Sequence, residues 1–295
     1  MSILRRIFPQ PLSQYHPLLY HSSVFLRRQY RQLQWAYSGR RYAIQVQTTP
    51  LPHRIKKHRS LLIRQLGDTP IKWQQNKIIN LKKAAPCISG IVIAPGEYFS
   101  FCKLVGLPTQ ARGFVEGMEL SFGQARLGIG GGICQIANMI HWLVLHSPLH
   151  VIERAQHSFD PFPDQGRILP FGSGAAIFYN YIDYQFYNPT QDHFQILLSF
   201  SNKHLEGELR CSRDLNVVYH IFEQNAAILQ IGNAYYRRNE IWRDTREKYK
   251  SGEILTTECM TRNFARICYV PNSVDAIYSS MTAYLQDQQN NLHNA

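Results

Sequence analysis

The chain has 295 residues, of which 44% are hydrophobic and 12% aromatic, and its formal net charge is +12. That length allows one large or two modest domains, and the apolar share is enough for a packed core and excludes global disorder. The charge is uneven: residues 1–83 hold sixteen of the 32 Lys and Arg and one acid, Asp68, while the remainder holds sixteen basic and nineteen acidic side chains. The first 83 residues are therefore expected to contact an anionic surface, or to form a solvated basic face. No nucleic-acid-binding motif is visible, so no specific nucleic acid is expected. Cysteines at 87, 102, 134, 211, 259 and 268 show no CxxC or CxxH spacing, so neither a disulfide framework nor a metal site is expected, and no residue pattern calls for a cofactor. The start M-S-I-L-R-R-I-F-P-Q-P-L lacks an unbroken apolar stretch and a small-residue cleavage site, and no run reaches about 18 apolar residues. These features predict a cytoplasmic protein without a transmembrane span, with peripheral contact at the inner membrane face left open.

Residues 22–37 read as a helix whose stripe Phe25, Leu26, Gln29, Leu33 and Tyr37 leaves Arg27, Arg28 and Arg31 off it. The stripe is expected to dock on the main domain, and a helix lying on a membrane would share the pattern. Residues 44–65 read as a basic connection, irregular at Pro50 and Pro52, then a second helix in H-R-I-K-K-H-R-S-L-L-I-R. A third helix is expected over 71–85, ended by Pro86. I-S-G-I-V-I and Y-F-S-F read as extended pieces around an A-P-G-E turn, residues 103–118 as loop, and M-E-L-S-F-G as a short strand. A helix over 134–146 buries Ile136, Met139, Ile140, Leu143 and Val144 and is closed by Pro148. L-H-V-I-E-R is strand-like, and residues 158–173 form a long irregular segment. From 174 onward alternating apolar strands separated by turn signals predict an antiparallel sheet, with I-W-R-D-T-R-E-K-Y-K as a polar helix or hairpin. The fold class is α+β: a basic helical N-terminal region (1–85), a mixed central domain with the antiparallel strands (86–272), and a polar tail (273–295) unstructured at its end.

Chemistry is suggested at one place. Gly128, Gly130, Gly131 and Gly132 deliver Cys134 to the first turn of a helix, where unpaired N–H groups and the dipole favour a thiolate. His157 follows after a short strand and is the expected base, with Asp183, or alternatively Asn180, as the group that orients the imidazole. His141 lies on the same helical face as Cys134 but about 10 Å along the axis, too far for direct proton transfer. Backbone N–H groups of Cys134 and the neighbouring glycines would hold an oxyanion, and Arg112 and Arg154 a substrate carboxylate.

The strings P-G-E-Y-F-S-F-C-K-L-V-G (95–106), R-G-F (112–114), G-I-G-G-G-I-C-Q (128–135), E-R-A-Q-H-S (153–158) and Y-I-D-Y-Q-F-Y-N (181–188) resemble the signature of the VanW family, in family order. The basic N-terminal helices resemble its short members, found with glycopeptide-resistance determinants. In one place the chain departs: envelope-type members carry an Asp shortly after the P-x-G turn, and here the turn reads P-F-G-S-G-A-A. The resemblance implies cell-wall peptide metabolism. It implies Cys134 as nucleophile of an L,D-transpeptidase-like acyl transfer or an amide hydrolysis, with His157 as base. Gly130, Gly131, Gly132, Gln135, Arg112, Arg154 and Ser158 would contact a peptide or peptidoglycan-precursor-like small substrate. The alternative is a non-catalytic accessory or ligand-binding protein with a basic surface.

Overall fold

The computed structural model describes residues 16–63, 70–121, 124–156, 159–160, 168–249 and 252–293. Helix α1 (Pro17–Tyr37) is followed by strand β1 (His53–Leu61) and helix α2 (Ile71–Ala84). Short strands β2 (Val92–Ile93) and β3 (Tyr98–Ser100) lead to a short helix α3 (Phe101–Val105) and the hairpin β4 (Glu116–Ser121) and β5 (Gln124–Ile129). A glycine turn opens α4 (Cys134–Leu145), then come β6 (His150–Glu153), β7 (Phe159–Asp160), β8 (Gln185–Tyr187), β9 (Phe194–Phe200) and β10 (His204–Cys211). Three long strands follow, β11 (Val217–Ile231), β12 (Ala234–Glu247) and β13 (Ile254–Ile267), and then β14 (Ala276–Tyr278) and α5 (Met281–His293). The architecture is α+β.

The main core lies between α4 and an antiparallel sheet of order β1-β10-β9-β2. The alternation in H-L-E-G-E-L-R-C turns Leu205, Gly207, Leu209 and Cys211 inward. Helix α4 supplies Ile136, Met139, Ile140 and Leu143, all buried at the spacing the sequence predicts. Gly207 lets the helix settle on the strand, since a Cβ there would stand 2.7 Å from Met139 Cγ. The same core takes in Ala43, Leu62 and Leu81 from the N-terminal part and Phe99, Tyr184 and Phe186 from further on.

Residues 53–61 correct the sequence reading, because they form an edge strand and not a helix. The reason is their partner. Glu206 and Glu208 on the outer face of β10 meet Lys57 at 2.9 and 3.7 Å, and Arg54 reaches Glu208 at 3.9 Å. A basic strand is thus laid along an acidic one, and sheet pairing overrides local propensity. Helix α1 is a second correction. It docks through its arginine side, not its apolar stripe. Arg31 grips Glu153 with two bonds of 2.5 and 2.6 Å, Arg28 donates to the Tyr179 carbonyl at 3.3 Å, and Arg27 lies over the Tyr181 ring.

Strands β11, β12 and β13 make a long antiparallel arm, extended by β14 and β7 at its two edges. The I-W-R-D-T-R-E stretch is therefore the middle strand of the arm. Expected as a loose tail, residues 281–293 are helical. Tyr284 stacks on Phe264, which stacks on Tyr236, and it closes a small second core with Leu229 and Ile231. The long string 175–188 gives only the short strand β8, and half of the irregular segment expected over 158–173 lies outside the described residues.

Gly207→Ala is expected to lower stability by about 1–3 kcal/mol through overpacking, and by less in a Met139→Ala background where the contact is gone. Urea unfolding of the four proteins of that cycle measures it.

Candidate functional site

A glycine turn leads into Cys134 at the start of α4. The turn before it folds on itself: Gly131 N–H donates to the Gly128 carbonyl at 2.9 Å and Gln135 N–H to Gly132 at 3.1 Å. Gly130 and Gly132 take φ of +82° and +93°. Gly131 lies directly against the backbone of Gly117 in β4, where any Cβ would overlap the Gly117 carbonyl. Asn80 of α2 fixes this approach, donating to the Gly131 and Val115 carbonyls and accepting from Val115 N–H, each at 2.9 Å. The three glycines expected at a substrate thus pack on this protein's own backbone and side chains.

Cys134 is the first residue of α4 and is partly covered. Its Sγ–H points at the Ile177 carbonyl, 3.7 Å away. Burial pushes the thiol up from its ordinary range and the nearby Glu119 adds to this, while the hydrogen bond to Ile177 and the helix backbone pull the other way. Desolvation and the helix N-terminus act on this thiol in opposite directions.

The polar face of α4 continues through Asn138 and His141, at the i+4 and i+7 positions from Cys134. Asn138 accepts from Ala175 N–H at 2.7 Å. His141 shares a 3.1 Å hydrogen bond with the Tyr184 hydroxyl through Nδ1, and its Nε2 has no partner among the described residues. Arg154 covers this seam from the side. It donates to the Gly174 carbonyl at 2.8 Å, to Thr261 Oγ1 at 3.2 Å, and to the Gly172 carbonyl. Burial lowers its pKa from the ordinary guanidinium value. Arg112 is likewise committed to the Leu107 and Val105 carbonyls, at 2.6 and 2.7 Å. Gln135 donates to Ser60 Oγ and the Leu61 carbonyl, both at 2.9 Å, and so ties α4 to β1. His157 and Ser158 lie outside the described residues, next to Gln156, which donates to Thr261 Oγ1 at 3.3 Å.

Asp183 is fully buried and makes no hydrogen bond to Cys134. Its carboxylate accepts from Ser100 Oγ at 2.6 Å, from Cys102 N–H and Tyr184 N–H at 2.8 Å, and from Gln185 Nε2 at 2.9 Å. Burial pushes its pKa up, and the Ser100 and Cys102 bonds draw it back down. Glu153, which holds Arg31, accepts from Asp183 N–H at 3.0 Å. Sequence reasoning missed Ser100, Glu153 and Asn80. A signal for the first two was present, since they lie in the strings at 95–106 and 153–158. Those strings and 181–188 meet as the three-stranded sheet β3-β8-β6.

Elsewhere, an open hollow of about 480 Å³ lies between α2 and β4. Trp73, Phe114 and Leu127 give it apolar walls, and Lys72, Asn76, Gln110 and Glu116 supply polar groups. Cys134 is not among its lining residues. Among the described residues, no group of three or more His, Cys, Asp or Glu converges as a metal site.

A family model described as "VanW like protein" matches residues 76–210. The vancomycin B-type resistance protein VanW of Enterococcus faecalis (strain ATCC 700802 / V583) is 30% identical over 204 residues, covering 69% of this chain and 74% of that protein. The uncharacterized protein YoaR of Bacillus subtilis (strain 168) is 29% identical over 110 residues, covering 37% of this chain and 34% of that one. No solved structure matches.

Burial of His141 in α4 and of His146 just after it is expected to make stability depend on pH. Burial pushes His146 down to about 4 and His141 well below its ordinary value. Both are neutral in the fold near neutrality, whereas in the unfolded chain they bind a proton near the ordinary value of 6.5. As pH falls from 6.5 toward about 4 the unfolded state binds more protons, so stability drops. His146 alone is expected to remove about 3 kcal/mol over that window. Urea unfolding at about pH 7 and about pH 4.5 should show the loss, and His146→Gln should lose less.

Proposed function

The chain belongs to the VanW family, and on that footing we propose that it is an accessory protein of glycopeptide resistance that binds a cell-wall-type peptide without using Cys134 as a nucleophile. The link to resistance comes from its relative, the Enterococcus faecalis protein whose name states that role. The observation that carries the non-catalytic part is the direction of the Cys134 sulfur. Its sulfur faces the Ile177 carbonyl, and burial favours the neutral thiol. A thiol is a weak nucleophile until it loses its proton. The arginines expected to hold a substrate carboxylate are occupied by backbone carbonyls, which supports the same reading. The hollow beside Trp73 and Phe114 is of a size for a short peptide, with Lys72 available to a carboxylate.

One observation favours the rival reading, in which Cys134 attacks a carbonyl and His157 shuttles the proton: Cys134 does begin a 12-residue helix directly after a glycine turn. The two readings separate by experiment. Alkylation of Cys134, followed peptide by peptide because five other cysteines are present, is expected to accelerate only above the ordinary thiol range of about 8.5. His157→Ala should leave that profile in place, and Cys134→Ala should retain glycopeptide resistance in a strain that depends on this protein. A midpoint near neutrality that moves in His157→Ala, together with loss of resistance in Cys134→Ala, would establish the enzyme instead.

A further inference from the structure

Helix α1 is docked the wrong way round for a packing element. Its inner side is Val24 with Arg28 and Arg31, held to Tyr179 and Glu153. Its outer side carries Leu19, Leu26, Tyr30, Leu33 and Tyr37, exposed by 46, 64, 63, 54 and 83% respectively. Their spacing of seven, four, three and four residues keeps them on one face over about 27 Å of helix. An exposed apolar stripe of this length on one helix calls for an occupant.

Charge selects among occupants. Residues 16–63 contain nine Lys or Arg and no acid. Arg27 and Arg40 stack on Tyr181 and Tyr98 and make no ion pair among the described residues, so their charge is not cancelled locally. A second copy of the same face would bring like charges together. A bilayer with anionic headgroups accepts both the leucines and tyrosines and the flanking arginines. The helix cannot cross instead, because no helix of the described residues is long and apolar enough to do so.

We propose that α1 seats this protein on an anionic lipid bilayer, lying in the interface plane with the Leu19–Tyr37 stripe turned into the headgroup boundary. The domain-facing arginines hold the helix, and the stripe stays free for lipid. The proposal uses neither Cys134 nor His157 and stands whichever reading of the thiol prevails.

The test is co-sedimentation of the full chain with vesicles of phosphatidylcholine alone and of phosphatidylcholine with about 30% phosphatidylglycerol. The double variant Leu26→Glu, Leu33→Glu changes only exposed positions, and urea unfolding checks that its fold is kept. Binding to the anionic vesicles is expected, at least about tenfold weaker in the variant and weakened by about 0.5 M salt. Sedimentation velocity without lipid is run alongside. The proposal is overturned if the wild type stays in the supernatant, if it binds both vesicles equally, or if a correctly folded variant binds as the wild type does. A wild-type dimer that the variant disperses would overturn it too, assigning the stripe to a second copy.

Discussion

A buried carboxylate sets the terms for the centre of this molecule. Asp183 is out of water, and its desolvation is opposed by four donors from Ser100, Cys102, Tyr184 and Gln185. Those donors come from the end of β3, the start of α3, and β8 with the residue before it. The geometry that solvates one charge therefore also fixes how two distant stretches of chain meet. A second carboxylate, Glu153 at the end of β6, takes the Asp183 N–H and reaches outward to Arg31 of α1. The two acids form a chain of contacts from the core to the N-terminal helix, and removing a member leaves buried polar groups without partners.

That economy bears on function. The strings that mark the family look chemical in one dimension, since they hold a cysteine, a histidine, acids and arginines. In three dimensions most of the described members answer one another. Arg112 and Arg154 satisfy loop carbonyls, Gly131 packs on Gly117, and Asp183 braces a sheet. Cys134 stands at a helix start with its Sγ–H directed at the Ile177 carbonyl, and burial pushes the thiol up from its ordinary range.

How much was legible follows from where the information resides. Helix α4 and strands β9 and β10 were readable because their apolar spacing is local and strong. Strand β1 was not, because the acids that make it a strand lie about 150 residues later, and a basic segment alone looks as much like helix. The α1 helix was correctly placed, but which side it docks is decided by Glu153 and Tyr179, far from it in sequence. Helix α5 reads as a polar tail until Tyr284 finds Phe264. At the candidate site, Asp183 was singled out as an orienting group for His157. Among the described residues its hydrogen-bond partners include Ser100 and Cys102, while His157 lies outside them.

The account turns on Asp183 acting as a brace, and its replacement by alanine tests that directly when stability and Cys134 reactivity are measured on the same sample. Loss of about 3 kcal/mol or more in urea unfolding is predicted, because Ser100, Cys102 and Tyr184 would be left with unpaired buried donors. The pH profile of Cys134 alkylation, measured where the variant is still folded, is predicted to stay where it was. A protein as stable as the wild type, with Cys134 reactivity displaced, would contradict the account and return Asp183 to the service of the thiol.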